Sequence, residues 1–331
     1  MIRGNAITLG GGGGTPYAGP HTVSPAVFES TTLSTSGMTM SSDVTVEALP
    51  QVNSVLTQLV GNLTQGYFGI DDAYYSITNL WGGAFQGVSS LNAVSLSRLA
   101  SVSSRAFMGC TDLSTVMLPA VTVVGDGAFS GCTSLESVSM PYAETVGSHA
   151  FDHCAYLRDL ELPNATTVGE HAFANDEFIN CVSLPRVRTI GAYAFYQAAV
   201  SSPFLKIGST LTTIGPHAFE ATAPYGEGYA DYAEVPFDNV TSIGEYAFNS
   251  RKFEGHEDIS LPACEYIGSC AFYGALMSSA VFTFGASSVC SIGLSALHNS
   301  IDVIYVPQSL YSAYMADAGW AQYSSYIRAA Q

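Results

Sequence analysis

The stretch that decides the fold runs from Val102 to Phe195. It reads VSSRAFMGCTDLSTVMLPAVTVVGDGAF (102–129), SGCTSLESVSMPYAETVGSHAF (130–151), DHCAYLRDLELPNATTVGEHAF (152–173) and ANDEFINCVSLPRVRTIGAYAF (174–195). An Ala-Phe pair recurs with its Phe at 107, 129, 151, 173 and 195, a constant step of 22 residues. Self-similarity at such a period marks a solenoid, in which each repeat is one rung that cannot bury its apolar face alone. Within the rung that starts at Phe129, the apolar set is Phe129, Cys132, Leu135, Val138 and Met140, then Pro141 and Val146-Gly147. Val138 and Met140 alternate with Ser137 and Ser139, which predicts a short strand with one face inward. Pro ends that strand by withholding a donor. The recurrent Gly, at 125, 147, 169, 191, 215, 244, 268 and 293, permits a sharp turn or a close approach to a neighbouring rung.

The motif AFxxCxxLxxVxLPxxxxxVG, carried over about residues 80 to 300, resembles the BspA-type leucine-rich repeats of bacterial surface proteins. The resemblance implies a mainly β, parallel-β leucine-rich-repeat solenoid with little regular helix, used for adhesion or recognition rather than chemistry. The repeats begin weakly at Leu80-Trp81-Gly82 and Phe85 and improve by Val94, Leu96 and Val102. Beyond Phe195 the steps lengthen to 24, 29 and 24 residues, at Phe219, Phe248 and Phe272, and Ala296-Leu297 closes the series.

Around this core the expected organisation is an arm at 1–20, a small strand-rich module at 21–50, an N-terminal cap at 51–80, the solenoid at 81–300 and a C-terminal cap at 301–331. Residues 10–14 are five glycines followed by Thr15-Pro16, which is not a phosphate-binding loop and reads as a flexible linker. The start has no apolar core of a secretory leader, and no stretch of 18 apolar residues could span a membrane. Three glycosylation sequons, at Asn62, Asn164 and Asn239, have meaning only on a secreted chain. The run from Thr22 to Pro50, with Thr32-Leu33, Gly37, Met40 and Asp43-Val44-Thr45-Val46, resembles small N-terminal modules of phage tail proteins. Val52, Val55, Leu56, Leu59, Val60 and Leu63 have helical spacing and suit a cap over the first rung. At the other end a strand reaching Pro307 should lead into an amphipathic helical segment bearing Leu310, Tyr314, Trp320 and Ile327.

Composition excludes several functions. Hydrophobic residues make up 47% of the 331, charged ones only 11%, and the net charge is -17. With Lys206 and Lys252 the only lysines among ten basic residues, no basic track exists for nucleic acid. Seven cysteines include Cys110, Cys132 and Cys154 on the 22-residue period, which reads as a ladder of buried small hydrophobes. No CxxC or zinc-site spacing occurs, an odd count argues against a complete disulfide set, and no cofactor or metal is expected. No GxSxG, HExxH or paired-carboxylate motif nominates a catalytic group, so the chain is read as not an enzyme. A pectin-lyase-like solenoid would need clustered Asp with Arg or Lys, and basic residues are too scarce.

Three sets of residues remain as candidate contacts. The turn position two before each Phe is Arg105, Gly127, His149, His171, Tyr193, His217 and Tyr246. His149 and His171 should fall on adjacent rungs about 5 Å apart, with His153 near, so a metal is weighed there against a solvated turn that tolerates many side chains. The outward strand row is Ser95, Met117, Ser139, Glu161, Ser183, Lys206 and Ser260, small and mostly neutral, suited either to flat contact with protein or glycan or to plain solvation. In the insertion 221–235, Tyr225, Tyr229 and Tyr232 with Gly226 and Gly228 resemble a binding loop. The functional expectation is a virion protein, a tail-tip, fibre-like or decorating component. Residues 1–50 would anchor it to other virion proteins in a symmetric or homo-oligomeric assembly, while the solenoid meets a host surface protein or glycan. The alternative is a bacterial cell-surface adhesin or host-interaction protein of the same repeat family.

Overall fold

In the computed structural model the described residues are 82–89, 91–176, 181–198, 205–220, 235–250, 258–275, 280–297 and 300–331, with short strands at 2–3, 7–9, 38–40, 45–46, 69–71 and 79–80. The protein is a mainly β parallel solenoid of about nine turns. The chain divides into two units, Met1–Leu162 and Pro163–Gln331. The expected helical cap at 52–63 and the tyrosines of the 221–235 insertion lie outside the described residues.

In the first unit, strands Gly69–Asp71, Ala93–Ser95, Thr115–Met117, Ser137–Ser139 and Asp159–Glu161 pair in parallel, each with the equivalent strand one repeat on. Their middle residues Val94, Val116, Val138 and Leu160 are buried while the flanking serines and threonines lie further out, the alternation expected of a half-buried strand. A second parallel ladder, Ser101–Val102, Val123–Val124 and Thr145–Val146, lies just before the recurrent Gly. Sequence reading gave one strand per rung; the structure has two, because two residues suffice to continue a ladder once the first strand fixes the register.

The Ala-Phe pair supplies a third set of rung-to-rung bonds. The N–H groups of Phe85, Phe107 and Phe129 donate to the carbonyls of Ala106, Ala128 and Ala150 at 2.7–2.8 Å. This holds the rings of successive rungs face to face: Phe85–Phe107, Phe107–Phe129 and Phe129–Phe151 stack with centroids 5.2–5.3 Å apart and planes within 7°. All are fully buried, each worth about 1.5–3 kcal/mol of transfer free energy. The cysteine ladder is likewise internal. Cys110, Cys132 and Cys154 donate their thiol protons to the carbonyls of Phe85, Phe107 and Phe129 at 3.1–3.2 Å, and burial pushes the Cys132 thiol well above its ordinary range. They are inert core residues, as the spacing indicates.

The recurrent Gly serves close approach rather than a turn. A Cβ at Gly147 would stand 2.7 Å from the Asp126 backbone nitrogen and from the Gly125 carbonyl carbon, a separation no side chain tolerates.

The second unit repeats the plan. Strands Thr167–Val168, Thr189–Ile190, Thr213–Ile214, Ser242–Ile243, Tyr266–Ile267 and Ser291–Ile292 pair in parallel, and so do Cys181–Leu184 with Leu205–Ile207. Despite the longer steps in sequence, Phe195, Phe219, Phe248 and Phe272 still stack at 5.0–5.4 Å. The extra residues therefore leave the core spacing unchanged.

At the C-terminus strands Asp258–Leu261, Ala280–Phe284 and Ile301–Val306 pair in parallel. A 3-10 turn Gln308–Leu310, the helix Tyr311–Ala316 and a second 3-10 turn Ala321–Tyr323 follow. The helical segment does not extend to Ile327 as the apolar spacing had indicated. Ile327–Ala329 is a strand that pairs with Ile304–Val306 and closes an edge that would otherwise expose its backbone groups. Tyr314, Trp320 and Tyr323 are buried and act as a stopper. The Trp320 indole N–H donates to the Cys290 carbonyl at 2.7 Å, the Cys290 N–H to the Tyr314 hydroxyl at 3.1 Å, and the Leu297 N–H to the Tyr323 hydroxyl at 3.0 Å. Side chains thus satisfy the backbone groups that a further rung would have met.

Candidate recognition surfaces

Strand register settles the geometry of the outward row. Ser95 pairs with Met117, Met117 with Ser139 and Ser139 with Glu161 in the first unit; Ser183 pairs with Lys206 in the second. Neighbouring strands lie about 4.8 Å apart, so these positions follow one another in columns along each ladder. Met117 is 52% exposed, Ser139 and Lys206 are exposed, and Ser95 and Ser183 are half-buried. Ser260 is exposed too, on strand Asp258–Leu261. In the first unit the column offers an apolar thioether between two small hydroxyls.

The histidines of the turn row are engaged differently from the metal arrangement weighed above. His149 Nδ1 lies 3.0 Å from Asp152 Oδ2, and His153 Nδ1 lies 2.8 Å from Asp152 Oδ1, so one carboxylate is shared by two rings. His171 instead stacks flat on Tyr193 at 4.7 Å, Tyr193 on His217 at 4.4 Å, and His217 on Tyr246 at 5.1 Å. His217 Nδ1 also meets Glu220 Oε2 at 2.6 Å. Among the described residues no group of three or more His, Cys, Asp or Glu is placed to hold a metal ion.

This half-buried column of rings is what sequence reading missed, although it named every position. Each residue there has a left-handed backbone, with φ of 52° to 55° at His171, Tyr193, His217 and Tyr246. That conformation, uncommon outside glycine, is held by the rung-to-rung bonds on both sides. The signal was present as aromatic identity on the repeat period, but Arg105 and Gly127 at the start of the row disguised it.

A protein-family model agrees with this architecture. The model of the BspA type leucine rich repeat region matches residues 72–179, 100–225 and 229–315. Among solved structures, a leucine-rich repeat protein from Bacteroides ovatus is 21% identical, with 71% of each chain covered and a TM-score of 0.42. The pneumococcal vaccine antigen PcpA is 17% identical, over 72% of this chain and 67% of that one, with a TM-score of 0.38. A leucine rich cell surface protein from Faecalibacterium prausnitzii is 17% identical, over 82% and 81%, with a TM-score of 0.29. No curated protein matches the sequence. The family match begins at residue 72, and the resemblance of residues 22–50 to phage tail modules finds no support in the comparisons.

Proposed function

The chain belongs to the BspA-type leucine-rich repeat family, and from that premise we propose that it is a non-enzymatic recognition protein displayed at a bacterial surface. It meets a protein or glycan partner through the outward face of its three-residue strands. The observation that carries this reading is the registered column Ser95, Met117, Ser139, in which a methionine stands more than half exposed between small hydroxyls. Exposed methionine suits contact with varied partners, because its side chain adapts to irregular shapes. A cell-surface setting is preferred here to the virion expectation, which rested on the resemblance of residues 22–50 and on a start without the apolar core of a secretory leader.

Two measurements test the proposal. Protease treatment of intact source cells should degrade the chain while cytoplasmic proteins survive; full protection would overturn the surface assignment. Binding to immobilised glycans and extracellular-matrix proteins should then fall at least about tenfold in Met117→Arg, roughly the 1.4 kcal/mol that one buried anchor contributes, with an unchanged melting temperature. Equal binding by wild type and variant would remove this face from consideration.

A further inference from the structure

Cys264 and Cys290 stand apart from the other cysteines. In the ladder of Cys110, Cys132 and Cys154 each thiol proton is directed at a phenylalanine carbonyl of the preceding rung. The Cys290 thiol instead points at the Cys264 sulfur, 3.9 Å away, with both residues fully buried. Carbonyl acceptors are also near: the Tyr266 carbonyl lies 3.4 Å from the Cys264 sulfur and the Ser291 carbonyl 3.5 Å from that of Cys290.

The juxtaposition comes from a Cys-to-Gly segment that is one residue shorter in the last rung. Cys264-Glu265-Tyr266-Ile267-Gly268 has the usual length, and its Cys occupies the place of Ala143 and Ala165 in earlier rungs. In the last rung Cys290 is followed directly by Ser291-Ile292-Gly293, with Ser291 paired to Tyr266 and Ile292 to Ile267. One residue is missing between Cys and Gly, so Cys290 takes the inward place beside Cys264. It is also the residue on which the stopper docks, through Tyr314 and Trp320.

We propose that Cys264 and Cys290 are a disulfide-forming pair that locks the last two rungs beneath the C-terminal stopper. The oxidant is a small-molecule disulfide of the glutathione class, reacting during folding or when the stopper opens. Once the pair is exposed, a thiolate formed at one of the two sulfurs, here Cys264, attacks first. A bond forms between Cys264 and one sulfur of the oxidant, whose other half leaves as thiolate. The Cys290 thiolate then displaces the second half and closes Cys264–Cys290. The two cysteine protons end on two reduced thiols, so one disulfide is consumed and one is made. Closing a loop of this length restricts the unfolded chain and favours the capped state.

The full chain, refolded in a buffer rich in glutathione disulfide and digested without reductant, tests this directly by mass spectrometry. The expected product is one cross-linked pair of peptides carrying Cys264 and Cys290, lighter by two hydrogens, with Cys110, Cys132 and Cys154 unlinked. The melting temperature should fall when dithiothreitol is added. In Cys264→Ala, whose alanine stands at that position in other rungs, it should become independent of reductant. Absence of the cross-link, or links scattered equally among all the cysteines, would overturn the proposal; so would a reductant response that persists in Cys264→Ala.

Discussion

Two columns of stacked rings run through the second unit only two residues apart in sequence. Phe173, Phe195, Phe219, Phe248 and Phe272 stack inside at 5.0–5.4 Å, and His171, Tyr193, His217 and Tyr246 stack at the turn at 4.4–5.1 Å. The spacing is nearly the same although one column is buried and the other half-exposed. Ring distance is therefore set by the backbone repeat, which every rung inherits, and not by what surrounds the rings. Burial decides what each contact is worth. It also decides which residues are interchangeable: the inner column is all phenylalanine, while the equivalent turn position in the first unit passes from Arg105 to Gly127 to His149.

The largest effect should come from breaking the inner column. Phe129→Ala removes a ring that stacks on both Phe107 and Phe151 and should cost about 3–5 kcal/mol, measured by denaturant unfolding. Because each rung touches only its neighbours, hydrogen exchange should rise chiefly in rungs 102–160. Uniform loosening of the whole chain would contradict the claim that the columns are local.

A change that disturbs both columns together comes next. In Gly191→Ala the new Cβ would lie 2.6 Å from the Gly169 carbonyl carbon, so the two rungs must separate. The expected cost is about 1–3 kcal/mol, in the range of overpacked cores. Near-ultraviolet dichroism of the tyrosines should change with it, since Tyr193 follows two residues later.

The smallest effect separates ring from backbone in the outer column. Tyr193→Ala loses contacts with His171 and His217 yet keeps the left-handed backbone, for about 0.5–1.5 kcal/mol. Tyr193→Gly loses the same ring but relieves the left-handed strain, recovering about 1 kcal/mol. Thermal melts of the pair should place the glycine variant above the alanine variant. The reverse order would mean that the turn is not strained.

Much of this was legible in the sequence because burial imposes one answer. The inward alternation of Val138 between Ser137 and Ser139, the phenylalanine period and the cysteine ladder all follow from a core that accepts only apolar groups of fixed size. What escaped is what the period does not constrain. The second ladder is only two residues deep, as at Thr145–Val146, too short to show an alternation. Ile327 shares an apolar character with the preceding helical residues and differs only in having an open strand edge beside it. The ring column depends on a backbone conformation that leaves no mark in hydrophobicity, and its residues change type from one rung to the next. The outward row could be enumerated from sequence, but only register showed that its members stand in columns.

The stopper at the C-terminus bears on how such proteins change size. Tyr314, Trp320 and Tyr323 satisfy the final rung through main-chain groups of Cys290 and Leu297, which any rung of the array also possesses. Gain or loss of a whole repeat upstream leaves that terminal joint untouched. The number of rungs is thus independent of the joint that ends them.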